Sequence, residues 1–137
     1  MAHETDVKVR FCETDALGHI SNISYFIYLE EARTDFFGEM GFEMGIGDWK
    51  FILASAACDF VSQGYFNQKL KVISEIGRIG NSSFTIIHRI VDGGGKLIAT
   101  GEASIVFFDF ENQRSERLPD WFRERLADHM AETSEAG

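Results

Sequence analysis

The chain of 137 residues has little of what marks secreted or membrane proteins. It contains two cysteines, one proline and no apolar run of the roughly 18 residues that span a bilayer. Its first residues carry neither the cationic end nor the apolar stretch of a signal peptide. Cys12 and Cys58 lack the paired spacing of a zinc site or a redox motif, so we expect small core residues without a disulfide. These absences favour a cytoplasmic protein.

Positive charge is also scarce, with 13 Lys and Arg against 22 Asp and Glu, which gives a net charge of -9. Nucleic acids and anionic membrane surfaces are polyanions that bind to basic patches. We therefore expect neither as a partner, although an anionic small molecule would need only a local basic cluster. The His, Asp and Glu residues show no zinc-type spacing, so no metal is expected either.

The apolar pattern predicts one domain over residues 1–137, in the order strand, long helix, four strands, short helix. Alternation over 5–13 predicts the first strand, and apolar residues at helical spacing predict a helix from near Ser24 to Gly41. After a glycine-rich connection at 45–47, β-like runs cover about 51–64, 69–79, 82–92 and 96–110. Glycine turns between the last three predict an antiparallel meander, and Pro119 indicates the start of the short helix.

The long helix carries apolar residues on more than one side, which fits an α+β fold whose antiparallel sheet curls around it. A curled sheet of this kind leaves edge strands exposed, and such edges are often paired between subunits. We therefore expect at least a dimer.

A carboxylate and a glycine turn stand just ahead of the long helix, at Asp15 and Gly18. A helix N-terminus offers unpaired backbone N–H groups and a partial positive charge. A polarised carbonyl can rest there while a nearby carboxylate attacks it or activates water, which is acyl-transfer geometry. Asn22 is a preferred N-cap type and stands closer to the helical pattern, so Asp15 is not expected to be the cap.

These residues resemble the hotdog-fold acyl-CoA thioesterases of the 4-hydroxybenzoyl-CoA thioesterase type. The resemblance lies in Thr14 to Asn22, in the helix run Tyr25 to Arg33, and in the later stretches Gly80 to Thr85 and Ala99 to Ala103. It implies a five-stranded antiparallel sheet wrapped around a long central helix, paired with a second copy into a homodimer or homotetramer. It also implies a small-molecule acyl-CoA substrate, bound at the dimer interface, with no cofactor because coenzyme A is part of the substrate.

By the same resemblance, Asp15 matches the catalytic carboxylate, and the backbone N–H at Asn22 matches the donor that polarises the thioester carbonyl. The Asn22 side chain has two plausible tasks, capping the helix or orienting water with its amide, and capping is the expected one. Gly18 and His19 are possible supporting residues. A plain loop glycine is an equally ordinary use of Gly18, and a single histidine such as His19 more often serves to bond the loop. Glu31 is held in reserve, because another branch of hotdog thioesterases carries its catalytic carboxylate on the long helix.

Substrate contacts are expected from one basic residue and several polar or aromatic ones. The candidates are Tyr25, Arg78, Asn81, Ser82 and Ser83. Arg78 can serve the phosphates of coenzyme A, while residues 81–83 can offer hydroxyl and backbone donors or form only a turn.

The expected activity is hydrolysis of a thioester to a free carboxylate and coenzyme A, with Asp15 as nucleophile or general base. Three alternatives stay open: hydrolysis on an acyl carrier protein, a non-catalytic acyl-CoA-binding module, and a hotdog hydratase or dehydratase that uses Asp15 with His19. The residues also leave open the acyl chain, the pathway, and the choice between dimer and tetramer.

Overall fold

The computed structural model describes residues 2–41 and 50–131, so the predicted glycine-rich connection at 45–47 lies outside the described residues. Within these two ranges, six strands, two α-helices and one 3-10 turn follow one another along the chain. They are β1 (His3–Lys8), the 3-10 turn (Phe11–Glu13), α1 (Asn22–Glu39), β2 (Phe51–Phe60), β3 (Lys69–Ile79), β4 (Ser83–Asp92), β5 (Leu97–Asp109), β6 (Arg114–Ser115) and α2 (Asp120–Asp128).

The sheet has the order β1-β3-β4-β5-β2, with every neighbouring pair antiparallel. This confirms the α+β fold and the meander of β3, β4 and β5. The expected number of five strands is wrong, because the short β6 pairs with β5 as a sixth. The Asp109 carboxylate accepts the N–H groups of Glu111 and Asn112, and this turn folds the chain back onto β5.

The first strand ends earlier than the alternation predicted, at Lys8 instead of Glu13. The Arg10 and Glu13 backbones and side chains bond to each other, with Glu13 N–H donating to Arg10 O at 3.0 Å, and this curls the chain into the 3-10 turn. Phe11 is therefore 77% exposed, and Cys12 is exposed where a core residue was expected. Cys58 is half-buried against the core, and both thiols are free.

Helix α1 lies against one face of the sheet and buries two clusters of apolar residues there. Its buried side chains are Ser24, Tyr25, Tyr28, Leu29, Ala32, Arg33, Phe36 and Phe37. The helix lies close to the sheet at Gly101 on β5, where a Cβ would lie only 2.6 Å from Leu29 Cδ1. A larger residue at position 101 would force the buried Leu29 side chain to move. Among the described helices, neither combines the length and apolar character needed to cross a membrane.

Strand β2 forms one edge of the sheet, and most of its ten residues are exposed. Leu53 is 46% exposed and Phe60 is 48% exposed, although both lie on β2 opposite core residues of β5. Helix α1 also exposes Ile23 and Ile27, of which Ile27 lies on the same cavity as Leu53. An edge of this length, flanked by apolar side chains, is suited to pairing with another strand.

Candidate active site

Asp15 lies in a tight loop between the 3-10 turn and α1. Its backbone N–H donates to His19 O at 2.8 Å, and its carbonyl accepts the N–H of Gly18 at 3.0 Å. Its carboxylate oxygen Oδ1 accepts the N–H groups of Leu17 at 2.8 Å and His19 at 3.2 Å. Gly18 has a φ of +79°, a left-handed conformation that favours glycine, and open space surrounds its Cβ position. Backbone conformation, and not contact with a neighbour, therefore requires glycine here.

The N-terminus of α1 follows this loop directly and has no side-chain cap. Ser21 is the N-cap, so the expectation that Asn22 caps the helix is wrong, and the helix begins two residues before the predicted Ser24. The Ser21 hydroxyl bonds to Ser24 Oγ at 2.9 Å instead of capping a backbone N–H. In the part of the chain that the structure describes, no acceptor bonds to the N–H groups of Asn22 or Ile23. Such first-turn donors are available to an external carbonyl oxygen.

Sequence reasoning missed Glu13, which joins the loop to the helix. Its carboxylate is buried and accepts hydrogen bonds from Arg10 and from the Tyr28 hydroxyl. Its carbonyl accepts the Ser21 N–H at 2.9 Å and the Ser24 hydroxyl at 3.0 Å. The available signal was an arginine three residues before a glutamate, but the alternating pattern placed both on a strand.

His19 is held by the segment that precedes β3, not by an acid. It forms an isolated antiparallel bridge with Tyr65, and the two rings meet edge to face with centroids 5.1 Å apart. The Gly18 carbonyl accepts the N–H of Phe66 at 3.1 Å. The Asp15 carboxylate therefore bonds to the backbone N–H of His19, while the imidazole of His19 packs on Tyr65 and holds the loop against that segment.

All but one of the remaining substrate candidates lie away from this loop within one chain. Asn67 donates its N–H to Val9 O beside the start of β3, near the loop, whereas Arg78 and residues 81–83 lie at the other end of β3. Eleven residues of strand span roughly 33 Å. Tyr25, in the first turn of α1, is 3% exposed, and burial raises the pKa of its hydroxyl. This hydroxyl lies at Gly64, whose carbonyl accepts the Ile20 N–H at 2.9 Å, so Tyr25 is buried beside the loop. The structure therefore brings together Asp15, Gly18, His19, Asn22 and Tyr25, but not Arg78 or residues 81–83.

A cavity of about 540 Å³ lies between α1 and β2, and none of the loop residues lines it. Its walls include Glu31, the buried Arg33 and the apolar Leu53. Arg33 is 8% exposed and, among the described residues, makes no ion pair. Burial lowers the pKa of its guanidinium, while nearby Glu30 acts in the opposite direction. A buried charge of this kind is unfavourable without a counter-charge.

No three His, Cys, Asp or Glu side chains gather closely enough to hold a metal ion anywhere in 2–41 or 50–131. The donors collected at the Asp15 loop are instead one carboxylate and the backbone N–H groups of a helix N-terminus. This set can attack or activate a nucleophile towards a carbonyl carbon and stabilise the oxyanion that forms.

A long helix held against an antiparallel sheet of this order, with an acidic loop at its N-terminus, is the hotdog arrangement of thioesterases. The model of the thioesterase-like superfamily matches residues 9–126, so the chain belongs to that family.

Individual relatives are similar to this chain over most of its length. YsmA of Bacillus subtilis (strain 168) is 29% identical over 120 residues, covering 88% of this chain and 82% of that protein. The structure of a predicted thioesterase from Bacillus stearothermophilus is 31% identical with a TM-score of 0.90, covering 96% of this chain and 98% of that one. A thioesterase from Thermus thermophilus, complexed with coenzyme A and Zn, is 26% identical with a TM-score of 0.81 over 91% of each chain.

Proposed function

We propose that this protein is an acyl-CoA thioesterase of the 4-hydroxybenzoyl-CoA thioesterase type, with Asp15 as its catalytic carboxylate. The observation that carries the proposal is the Asp15 loop, bonded directly ahead of an uncapped helix N-terminus. The N–H groups of Asn22 and Ile23 receive the thioester oxygen and stabilise the oxyanion. The coenzyme A bound by the Thermus relative supports acyl-CoA as the substrate class.

In this mechanism an Asp15 oxygen attacks the thioester carbon, and the carbon–sulfur bond then breaks. Coenzyme A leaves as a thiolate that takes up a proton, and water hydrolyses the acyl anhydride. The alternative step is removal of a proton from water by the same carboxylate. Multiple turnovers in oxygen-18 water separate the two, because label found in the peptide that carries Asp15 supports attack by the carboxylate. Label confined to the released acid, with no acyl-enzyme on rapid quenching, favours activated water.

We also propose that the working unit contains at least two copies joined through β2. Antiparallel pairing of two β2 edges places the Phe60 end of one strand beside the Phe51 end of the other. The Phe60 end lies near the Asp15 loop, since the next residues after β2 lead to the segment bonded to Gly18. The Phe51 end is the end of the sheet that carries the β3–β4 turn. The pairing therefore brings the two separated halves of the candidate site towards each other.

The β3–β4 turn carries positive charge suited to the phosphates of coenzyme A. Arg123 of α2 donates a hydrogen bond to Gly80 O, and the Arg78 guanidinium lies at the same turn. In a site shared between two copies, these arginines of one copy bind the coenzyme A phosphates. The thioester of the same substrate then lies at Asp15 of the other copy.

The activity is tested by following thiol release from a panel of aromatic and aliphatic acyl-CoA esters and from an acylated carrier protein. Hydrolysis of an acyl-CoA with free coenzyme A as product is the expected result. Hydration of an enoyl-CoA without thiol release, or tight acyl-CoA binding without turnover, contradicts it. The shared site is tested by mixing Asp15→Asn subunits with Arg78→Glu subunits. Random pairing of two inactive proteins then restores about a quarter of the sites, since half of the dimers are mixed and each has one intact site.

A further inference from the structure

Glu13 is a buried carboxylate with an unusually full set of donors. It is 5% exposed and accepts the Arg10 backbone N–H at 2.9 Å, Nε at 3.0 Å and Nη2 at 2.6 Å. The Tyr28 hydroxyl donates to it at 2.9 Å. Burial raises the pKa of the Glu13 carboxyl, but the hydrogen bonds from Arg10 and Tyr28 outweigh burial and lower it overall. Glu13 is thus a carboxylate at neutral pH.

The contacts of Glu13 fix two parts of α1 at once. Its side chain meets Tyr28, while its carbonyl meets the N-cap Ser21 and the buried Ser24. The first two turns of the helix are thereby attached to a single residue. Only Thr14 separates that residue from Asp15 in the chain.

Apart from the chain itself, which runs through the buried Ile20 into the N-cap Ser21, the Asp15 carboxylate has no described bond to α1. The hydrogen bonds of the Asp15 carboxylate run to N–H groups of its own loop, and Asp15, Ala16 and Leu17 are exposed. The loop also contacts the segment before β3 through Gly18. The contacts of Glu13 with α1 therefore help to fix the position of the Asp15 carboxylate relative to the N–H donors of the helix.

We propose that Glu13 is a positioning residue for the candidate reaction, which holds the Asp15 carboxylate in register with the N–H donors of Asn22 and Ile23. This inference rests on the proposed function. The Glu13 side chain touches Arg10 and Tyr28 and not the candidate site, so it acts through Asp15. A displacement of about 1 Å at a reacting group can lower the rate by about a hundredfold, which makes a holding contact of this kind measurable.

Glu13→Gln is the direct test, because the amide has nearly the same shape but turns an N–H₂ group towards donors. It cannot accept all the hydrogen bonds of Arg10 and Tyr28. We expect kcat to fall about 10- to 100-fold on the fastest acyl-CoA of the panel, while KM changes less than about threefold. Glu39→Gln, an exposed change at the far end of the same helix, is the matched control and leaves both constants unchanged.

A double-mutant cycle separates positioning from general loss of structure. In the Asp15→Asn background, Glu13→Gln should cost no further activity, because the group that it positions is already absent. An additional loss in that background equal to the loss in wild type overturns the proposal. Wild-type kcat in folded Glu13→Gln overturns it as well, and leaves the role of Asp15 standing. Wild-type activity in Asp15→Asn instead refutes the proposed function itself.

Hydrogen–deuterium exchange gives a readout that does not depend on activity. Deuterium uptake over residues 14–20 should rise in Glu13→Gln and not in Glu39→Gln, since the Leu17 and His19 amides are bonded within the loop. Unchanged uptake contradicts the proposal. If Glu13→Gln does not fold, Tyr28→Phe retains the carboxylate and removes one donor, and a smaller fall in kcat with the same uptake pattern is expected. Wild-type kcat and uptake in Tyr28→Phe would then refute the inference.

Discussion

Asp15→Asn should abolish most of the activity while it leaves the fold intact. Asparagine keeps a side-chain oxygen in the place of Oδ1, so the bonds from Leu17 N–H at 2.8 Å and His19 N–H at 3.2 Å can remain. The acceptor of these two bonds changes from a charged carboxylate to a neutral amide oxygen. At an exposed site this change lowers the unfolding free energy by at most about 1 kcal/mol. For a chain of this size that lowers Tm by roughly 2–5 °C.

The loss of activity should be much larger than the loss of stability. Removal of a nucleophile or general base lowers kcat by about a hundredfold or more, which corresponds to at least about 2.7 kcal/mol of transition-state stabilisation. Thiol release at saturating acyl-CoA, measured well below Tm, compares the two proteins directly. Turnover within about threefold of wild type, in a folded variant, would refute the assignment of Asp15. Equal falls in activity and in folded fraction would show that the loss is structural.

Four further perturbations address the loop, the core and the sheet edge. His19→Ala should lower kcat less than about tenfold, since the His19 ring packs on Tyr65. A larger fall in kcat than that of Asp15→Asn would indicate His19, and not Asp15, as the main catalytic residue. Gly101→Ala should cost about 1–3 kcal/mol in urea unfolding, because its Cβ would lie 2.6 Å from Leu29 Cδ1, and wild-type stability would contradict the close contact. The pKa of Glu13 is lowered in the folded protein, so its stabilising contribution is present above the ordinary glutamate pKa and is lost as pH falls through the folded value. Glu13→Gln should therefore flatten the acid limb of Tm against pH, and an unchanged slope would argue against an ionised Glu13. Ala57→Lys on exposed β2 should shift sedimentation towards the monomer and lower activity with it, whereas an unchanged oligomer would exclude this edge as the interface.

The regular elements could be predicted well because their residues follow one period over long runs. The spacing of apolar residues located α1, and glycine turns separated β3, β4 and β5, whose meander is confirmed. The prediction failed where side chains and backbone form local hydrogen bonds. Arg10 and Glu13 bend the chain out of a strand that the alternation continues, and Asp109 folds back a short β6 that has no periodic signal.

The acidic loop was recognised by its motif, but the surroundings of the loop depend on contacts distant in sequence. Tyr28 bonds to Glu13 across 15 residues, and His19 meets Tyr65 through a bridge that no spacing reveals. Arg78 was grouped with Asp15 by its charge, and residues 81–83 by their polar groups and by the resemblance of Gly80 to Thr85. The length of β3 separates them within one chain, and only the sheet order shows this.

The order of the sheet also constrains how the chain folds as it is synthesised. Both edge strands are synthesised before the strands that they pair with. Strand β1 pairs with the later β3, and β2 pairs with the later β5. Helix α1 is likewise complete before most of the sheet that buries it exists. The meander of β3, β4 and β5 forms from contacts near in sequence, whereas attachment of β1 and β2 closes long loops, which is entropically slower. We therefore expect the N-terminal half of a nascent chain to leave the ribosome with its apolar helix uncovered, and the last β5 residues to complete the main sheet.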